Sequence, residues 1–187
     1  MKIRYGLKNL KYAVGYPDTS GAMTYGAYKD MKGAKSMALT QVGENVIEYA
    51  DDIEWFIAAL NSGYDGNVVL EEVPESFLID ILGYVKDSNG VLFEDADVQP
   101  KEFALAGEFK NAGDATVTGK RFCFFRCIAS RPNVEGETKQ NNITVAHDTL
   151  NIKAMARISD GMVKATADSN ATGYSSWFNA VVTRTGA

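Results

Sequence analysis

The residues that carry most enzyme and metal chemistry are scarce in this chain. His147 is the only histidine in 187 residues, whereas an acyl-transfer triad needs an imidazole base beside its nucleophile and a zinc site draws on several imidazoles or thiolates at close spacing. The neighbours of His147 are strand-like and supply no ligand spacing, so it reads as an imidazole on a strand face or at the surface. Cys123 and Cys127 are the only thiols. Four residues of strand span roughly 13 Å, past the ~7 Å between Cα atoms that a disulfide tolerates, and too few soft ligands accompany them for zinc. They read as reduced thiols packed like small apolar side chains.

The paired carboxylates Asp51-Asp52 and Glu71-Glu72 could in principle do acid-base work, but adjacent residues of a strand point to opposite faces. A solvated acidic face is the simpler reading. Asp95-Ala96-Asp97 and Asp87-Ser88-Asn89-Gly90 resemble fragments of calcium loops. Neither has the Gly at the sixth and Glu at the twelfth position that an EF-hand requires, which leaves a weaker calcium site as the alternative. There is no GxGxxG, and no phosphate loop ending in Gly-Lys-Ser or Gly-Lys-Thr. No catalytic residue, metal or cofactor is expected.

Charge is distributed in blocks. Sixteen carboxylates and two lysines lie between Glu44 and Glu108, while basic residues outnumber acidic ones seven to two before that stretch and ten to six after it. Such segregation suits a surface that repels one polyanion while its flanks attract another surface, including a copy of the same chain. The net charge of -5 argues against nucleic-acid affinity, which depends on Lys and Arg displacing counterions, and against a membrane-surface role. The first ten residues interrupt their apolar positions with Lys2, Arg4 and Lys8, unlike a secretory signal, and the longest mainly apolar run, near Ile57 to Leu60, is far short of the roughly 20 residues that span a bilayer. Folding in a cytosol is expected, which makes the acceptor triplets Asn142-Ile143-Thr144 and Asn170-Ala171-Thr172 chance matches.

These features have to be carried on a mainly β scaffold. The length suits one domain spanning 1–187, and 17 Gly, 9 Tyr and 9 Phe with only 4 Pro favour strands joined by glycine-bearing turns. Ile3, Tyr5 and Leu7 alternate, then Leu10, Tyr12 and Val14 resume one step out of phase past Lys8-Asn9, which predicts a strand with a bulge or break. Residues 17–35 have no period and read as a long mobile loop. Met37 to Thr40 and Val46 to Tyr49 read as a hairpin, and Ile53 to Leu60 as a strand rather than a helix, turning at Gly63-Tyr64-Asp65-Gly66 into a partner strand from Asn67 to Val73. Pro74 at the first helical position, the stripe Phe77, Leu78, Ile81 and Leu82, and Gly83 as terminator define one short helix. A small hairpin is expected around Asp87-Ser88-Asn89-Gly90. Strands are expected over Phe103 to Phe109, Arg121 to Ile128, Ile143 to Ile158 and Met162 to Ala167; the second is apolar on both faces and belongs in mid-sheet under cover. Tyr174, Phe178, Val181 and Val182 suggest a second short helix.

A series of landmarks runs through this pattern: Tyr49-Ala50-Asp51-Asp52, Gly63-Tyr64-Asp65-Gly66, Pro74-Glu75-Ser76-Phe77-Leu78, Leu82-Gly83-Tyr84, Asn89-Gly90-Val91-Leu92, Phe103-Ala104-Leu105, Ala129-Ser130-Arg131-Pro132, Thr149-Leu150-Asn151 and Trp177-Phe178. In their order and spacing they resemble the major tail protein of long-tailed bacteriophages, in the phi-thirteen family. The resemblance implies a tail tube subunit: a β-sandwich or partial barrel with one or two short flanking helices, forming hexameric rings that stack head to tail into a hollow tube through which DNA passes without specific binding. It also implies a place in the virion tail, assembly in the bacterial host cytoplasm, and a tape measure protein and a tail terminator as further partners. Related tube proteins, including that of type VI secretion systems, have no catalytic residues to carry over.

Within that frame, Glu44, Glu48 and Glu54 are expected to face the channel, where carboxylates keep phosphates from sticking. Met23, Tyr25, Tyr28, Lys29, Met31, Lys32 and Lys35 in the long loop are expected to form the contact between rings. Two other classes remain open at this point. One is a monomeric β-sandwich binding module for a host surface or carbohydrate, with Tyr16, Tyr25 and Tyr28 as its exposed rings; the other is a carboxylate-dependent hydrolase.

Overall fold

The computed structural model describes residues 3–134, 136 and 146–184. The chain is mainly β, with thirteen strands and one short helix among those residues: β1 (Ile3–Pro17), β2 (Met23–Tyr25), β3 (Lys29–Asp30), β4 (Ala34–Val42), β5 (Asn45–Ala50), β6 (Ile53–Ala59), β7 (Gly63–Leu70), α1 (Glu75–Asp80), β8 (Val85–Lys86), β9 (Leu92–Phe93), β10 (Phe103–Ala112), β11 (Gly119–Ala129), β12 (Asp148–Met155) and β13 (Lys164–Asp168). Nine strands form one antiparallel sheet in the order β2-β1-β10-β11-β12-β7-β4, with β3 beside β1 and β13 beside β11; β5-β6 and β8-β9 are separate two-stranded units. The sheet curls so that β4 returns close to β1, without a ladder between them among the described residues, and a cavity of about 300 Å³ lined by Leu7, Leu10, Met31 and Ala34 lies at this seam. The result is an open, partly closed barrel.

The alternation of large and small residues along the central strands decides what covers each face. Leu10, Tyr12 and Val14 of β1, Phe103 and Leu105 of β10, and Phe122 and Phe124 of β11 project into the main core with Phe77 of α1 and Leu150 and Ile152 of β12. Their neighbours Ala13, Ala104, Ala106 and Cys123 are small, and the shallow face they make accepts Trp177 and Val181 from the chain's last described segment. Thus β11 is covered on both faces, as its composition requires. Within α1's short span Phe77 is fully buried, edge-on to Tyr12 and Phe103 with ring centroids 5.0 and 5.3 Å away, and Gly83 at φ 76° turns the chain out of the helical region.

Bulges set the phase of two strands. In β1 the register against β10 shifts between Tyr5 and Leu7 and again between Lys8 and Lys11, where Gly6 and Asn9 take φ of 57° and 52°; this is the expected slip that returns Leu10, Tyr12 and Val14 to the core. In β11 a shift opposite Phe103 and Leu105 puts Cys127 in the main core while Cys123 lies on the Trp177 side. The two thiols are therefore on opposite faces as well as far apart along the strand.

Several expectations are corrected. Met37 to Thr40 lies in β4, which pairs with β7 rather than with Val46 to Tyr49, and β5 pairs with β6 instead. Asn67 to Leu70 of the expected partner strand belongs to β7, which begins at Gly63, runs through the expected turn at Gly63-Tyr64-Asp65-Gly66, lies between β4 and β12, and does not partner β6; residues 71–73 lie beyond its end. The second helix is absent: residues 171–180 form a succession of turns, because docking Trp177 and Val181 onto the shallow face fixes them without helical pairing. Residues 17–35 are not without structure, since β2 and β3 inside them pair with β1. The first part of the expected strand from Ile143, and the triplet at Asn142, lie outside the described residues.

Candidate assembly surface

The β5-β6 hairpin stands apart from both cores. Its tip is the pair Asp51-Asp52, with φ of 52° and 61°; two successive positive φ values make the tight turn whose twist suits a hairpin, and aspartate tolerates that region better than most residues. At its base Ser62 N donates to Val42 O at 2.8 Å, and the backbone of Gly43 crosses Leu60 so closely that a Cβ there would stand 1.9 Å from the Leu60 oxygen. Glycine is what lets the two chain segments meet.

Both faces of the hairpin expose apolar side chains beside their carboxylates. Ile47 and Ile57 are direct partners on one face, and Val46 with Ala58 and Glu48 with Phe56 on the other. Trp55 is 73% exposed, Tyr49 66% and Ile57 56%. A two-stranded hairpin is marginal by itself, and a contiguous apolar surface of this kind marks an interaction site. The charge on the same element is one-sided: residues 43–60 include Glu44, Glu48, Asp51, Asp52 and Glu54 and not one Lys or Arg.

The three acidic residues expected to line a channel all fall on or beside this hairpin and are exposed, but they do not share one face. A bulge between Glu48 and Tyr49 makes Glu54 the partner of Tyr49, whose hydroxyl donates to it at 3.4 Å. Glu48 and Glu54 therefore point to opposite sides. One face of the hairpin carries Glu48 and the other carries Glu54.

The expected contact loop is also redistributed. Met31 is 1% exposed and belongs to the main core. Tyr25 and Tyr28 pack on the second core, where the Tyr25 hydroxyl donates to Phe125 O at 2.9 Å and the Tyr28 hydroxyl lies 3.4 Å from Cys123 Sγ; burial pushes the Tyr25 phenol up to about 12 and that of Tyr28 higher still. Lys29 pairs with Asp80 at 2.6 Å and Lys35 with Glu71 at 3.2 Å within the chain. Met23 packs over Gly15, where a Cβ would lie 2.4 Å from its methyl carbon, and Lys32 is exposed. Most of this segment's adaptable side chains are thus engaged internally, and of the three rings considered for a surface binding module only Tyr16 is exposed.

Several other titratable groups have structural partners. Glu108, 4% exposed, accepts from Lys8 at 2.8 Å and Arg121 at 2.9 Å; burial alone would raise its carboxyl, but these two cations outweigh it and hold it below the usual range. The Arg121 guanidinium also lies between the rings of Tyr174 and Phe178 and donates to Tyr174 O, tying the last described segment to the sheet. His147 lies beside Lys35, Nε2 to Nζ 2.6 Å, at the start of β12. Asp87 accepts from the amides of Val91 and Asn89 inside its own turn, and Asp95 from that of Asp97, so both calcium-loop fragments act as turn formers. Among the described residues no group of three His, Cys, Asp or Glu side chains is placed to hold a metal, and no helix is long and apolar enough to cross a membrane.

Sequence reasoning identified both strands of the hairpin but mispaired them, and so missed that they form a free-standing unit. The available signal was Asp51-Asp52 between Tyr49-Ala50 and Ile53: two turn-forming residues flanked by apolar runs. No known family model matches the chain, and no curated protein matches it.

Proposed function

We propose that this chain is the repeating subunit of a hollow protein tube of the phage tail type: closed rings of six copies that stack head to tail, with DNA passing through the channel without specific binding. The observation that carries this conclusion is the β5-β6 hairpin, which exposes apolar side chains on both faces and is uncovered among the described residues. Burying the face that carries Ile47, Tyr49 and Ile57, at roughly 1.5–3 kcal/mol each, contributes on the order of 5–9 kcal/mol. Association costs about 4–15 kcal/mol. One such contact therefore holds two copies weakly, whereas a closed ring, in which every copy gives and receives a hairpin, holds them firmly.

Assembly would place one hairpin face against a neighbour and leave the other, with Glu48, toward the channel. A carboxylate there repels phosphate, and an absence of lysines spares moving DNA the repeated breaking of ion pairs. The open sheet supports the same reading, because free strand edges invite pairing unless another chain covers them. The landmark resemblance adds the virion tail as location, with a tape measure protein and a tail terminator as partners. Negative-stain microscopy and native mass measurement over rising concentration test the proposal: sixfold rings and stacked tubes are expected, and a monomer at every concentration would refute it.

A further inference from the structure

We infer that the hairpin of one copy docks on the free edge of the β1 start in the next copy, its acidic strands alongside the basic run that holds Arg4 and Lys8. This rests on the proposed tube and names the receiving surface. From Ile3 to Lys8, β1 pairs on one side with β10; on its other side no ladder occurs among the described residues until Lys11 meets β3. That stretch therefore presents a row of unpaired amides and carbonyls, the template for addition of a strand. Among the described residues the outer edges of β5 and β6 are equally unpaired.

Side chains and charge match across the two elements. Ile3 and Tyr5 are 50% and 52% exposed, apolar counterparts for the hairpin face that carries Ile47 and Ile57. Residues 3–16 contain Arg4, Lys8 and Lys11 and no carboxylate, the inverse of residues 43–60. Arg4 lies over the Phe109 ring, 5.2 Å from its centroid. Because the giving and receiving surfaces differ, each copy uses both, and the contact propagates head to tail until it closes.

The test uses the full chain and a short bifunctional maleimide. Cys123 and Cys127 are buried, so Ile57→Cys and Tyr5→Cys report the contact. Cross-linked dimers are expected when the two variants are mixed and not from either alone. A second arm reverses charge: Arg4→Glu, and separately Glu54→Lys, should each raise the concentration needed for assembly at least about tenfold, and mixing the two should restore it. Tubes that form without the Ile57-to-Tyr5 cross-link, hairpin-to-hairpin cross-links, or charge variants that assemble normally would overturn the docking while leaving the tube proposal intact. A wild-type chain that never self-associates would remove both.

Discussion

Strand β11 and the β5-β6 hairpin contain similar material and meet opposite fates. Arg121-Phe122-Cys123-Phe124-Phe125 and Glu54-Trp55-Phe56-Ile57-Ala58 are each apolar on alternate and intervening positions, so by pattern each needs cover on both faces. β11 receives it inside the subunit, from the main core on one side and Trp177 on the other. Among the described residues the hairpin receives none. A two-faced apolar strand specifies that it must be covered, and topology decides whether the cover comes from the same chain.

The contrast is sharpened by removing buried side chains. Phe103→Ala, at a fully buried position between Phe77 and Cys127, should destabilise the isolated subunit by about 3–5 kcal/mol in urea unfolding. Glu108→Gln should cost about 3 kcal/mol at neutral pH by leaving Lys8 and Arg121 without their buried partner. Because the folded-state pKa of Glu108 is depressed, its contribution is fully present above the unfolded glutamate value of about 4.3 and is lost as pH falls through the folded value. Wild-type stability should therefore fall in acid more steeply than that of the Gln variant; equal slopes would count against the buried ion cluster.

Smaller effects separate the loop from the hairpin. Met31→Ala should lower subunit stability by about 2–3 kcal/mol, since Met31 lies in the core; an effect on assembly alone would return it to the contact between rings. Trp55→Ser should change subunit stability by less than about 0.5 kcal/mol while abolishing tubes, the reverse of Phe103→Ala. A large loss of stability from Trp55→Ser would mean that the hairpin is covered within the subunit. Finally, Cys123, pushed up to about 11 by burial despite the Tyr28 hydroxyl, and Cys127, pushed well up by burial, should resist alkylation in the native protein and both react after denaturation. Rapid native labelling would contradict the covered state of β11.

The parts of the fold legible from sequence were those set by local chemistry. The phase slip at Lys8-Asn9 announces a bulge, Phe77 and Gly83 define a helix and its end, and the doubly apolar run at Arg121 announces a central strand. What stayed illegible was pairing over distance. Val46 to Tyr49 fits β4 as well as β6 by pattern, and only the Asp51-Asp52 turn favours the second. The terminal segment shows the same limit: Tyr174, Phe178 and Val181 have helical spacing, yet the shallow face of Ala13, Ala104 and Ala106, contributed by distant strands, holds Trp177 without a helix. For the assembly surface, the acidic residues were legible as a block, but their division between two faces follows from a one-residue bulge at Trp55 that no pattern announced.

Hydrogen exchange of wild-type protein, dilute and assembled, tests the central claim most directly. In the dilute subunit the amides of β11 should be protected and those of residues 45–59 should exchange fast, because an isolated hairpin opens readily. In assembled tubes β11 should be unchanged and the hairpin should become strongly protected. Hairpin amides that exchange equally fast in both states, or that are already protected in the dilute subunit, would contradict the account.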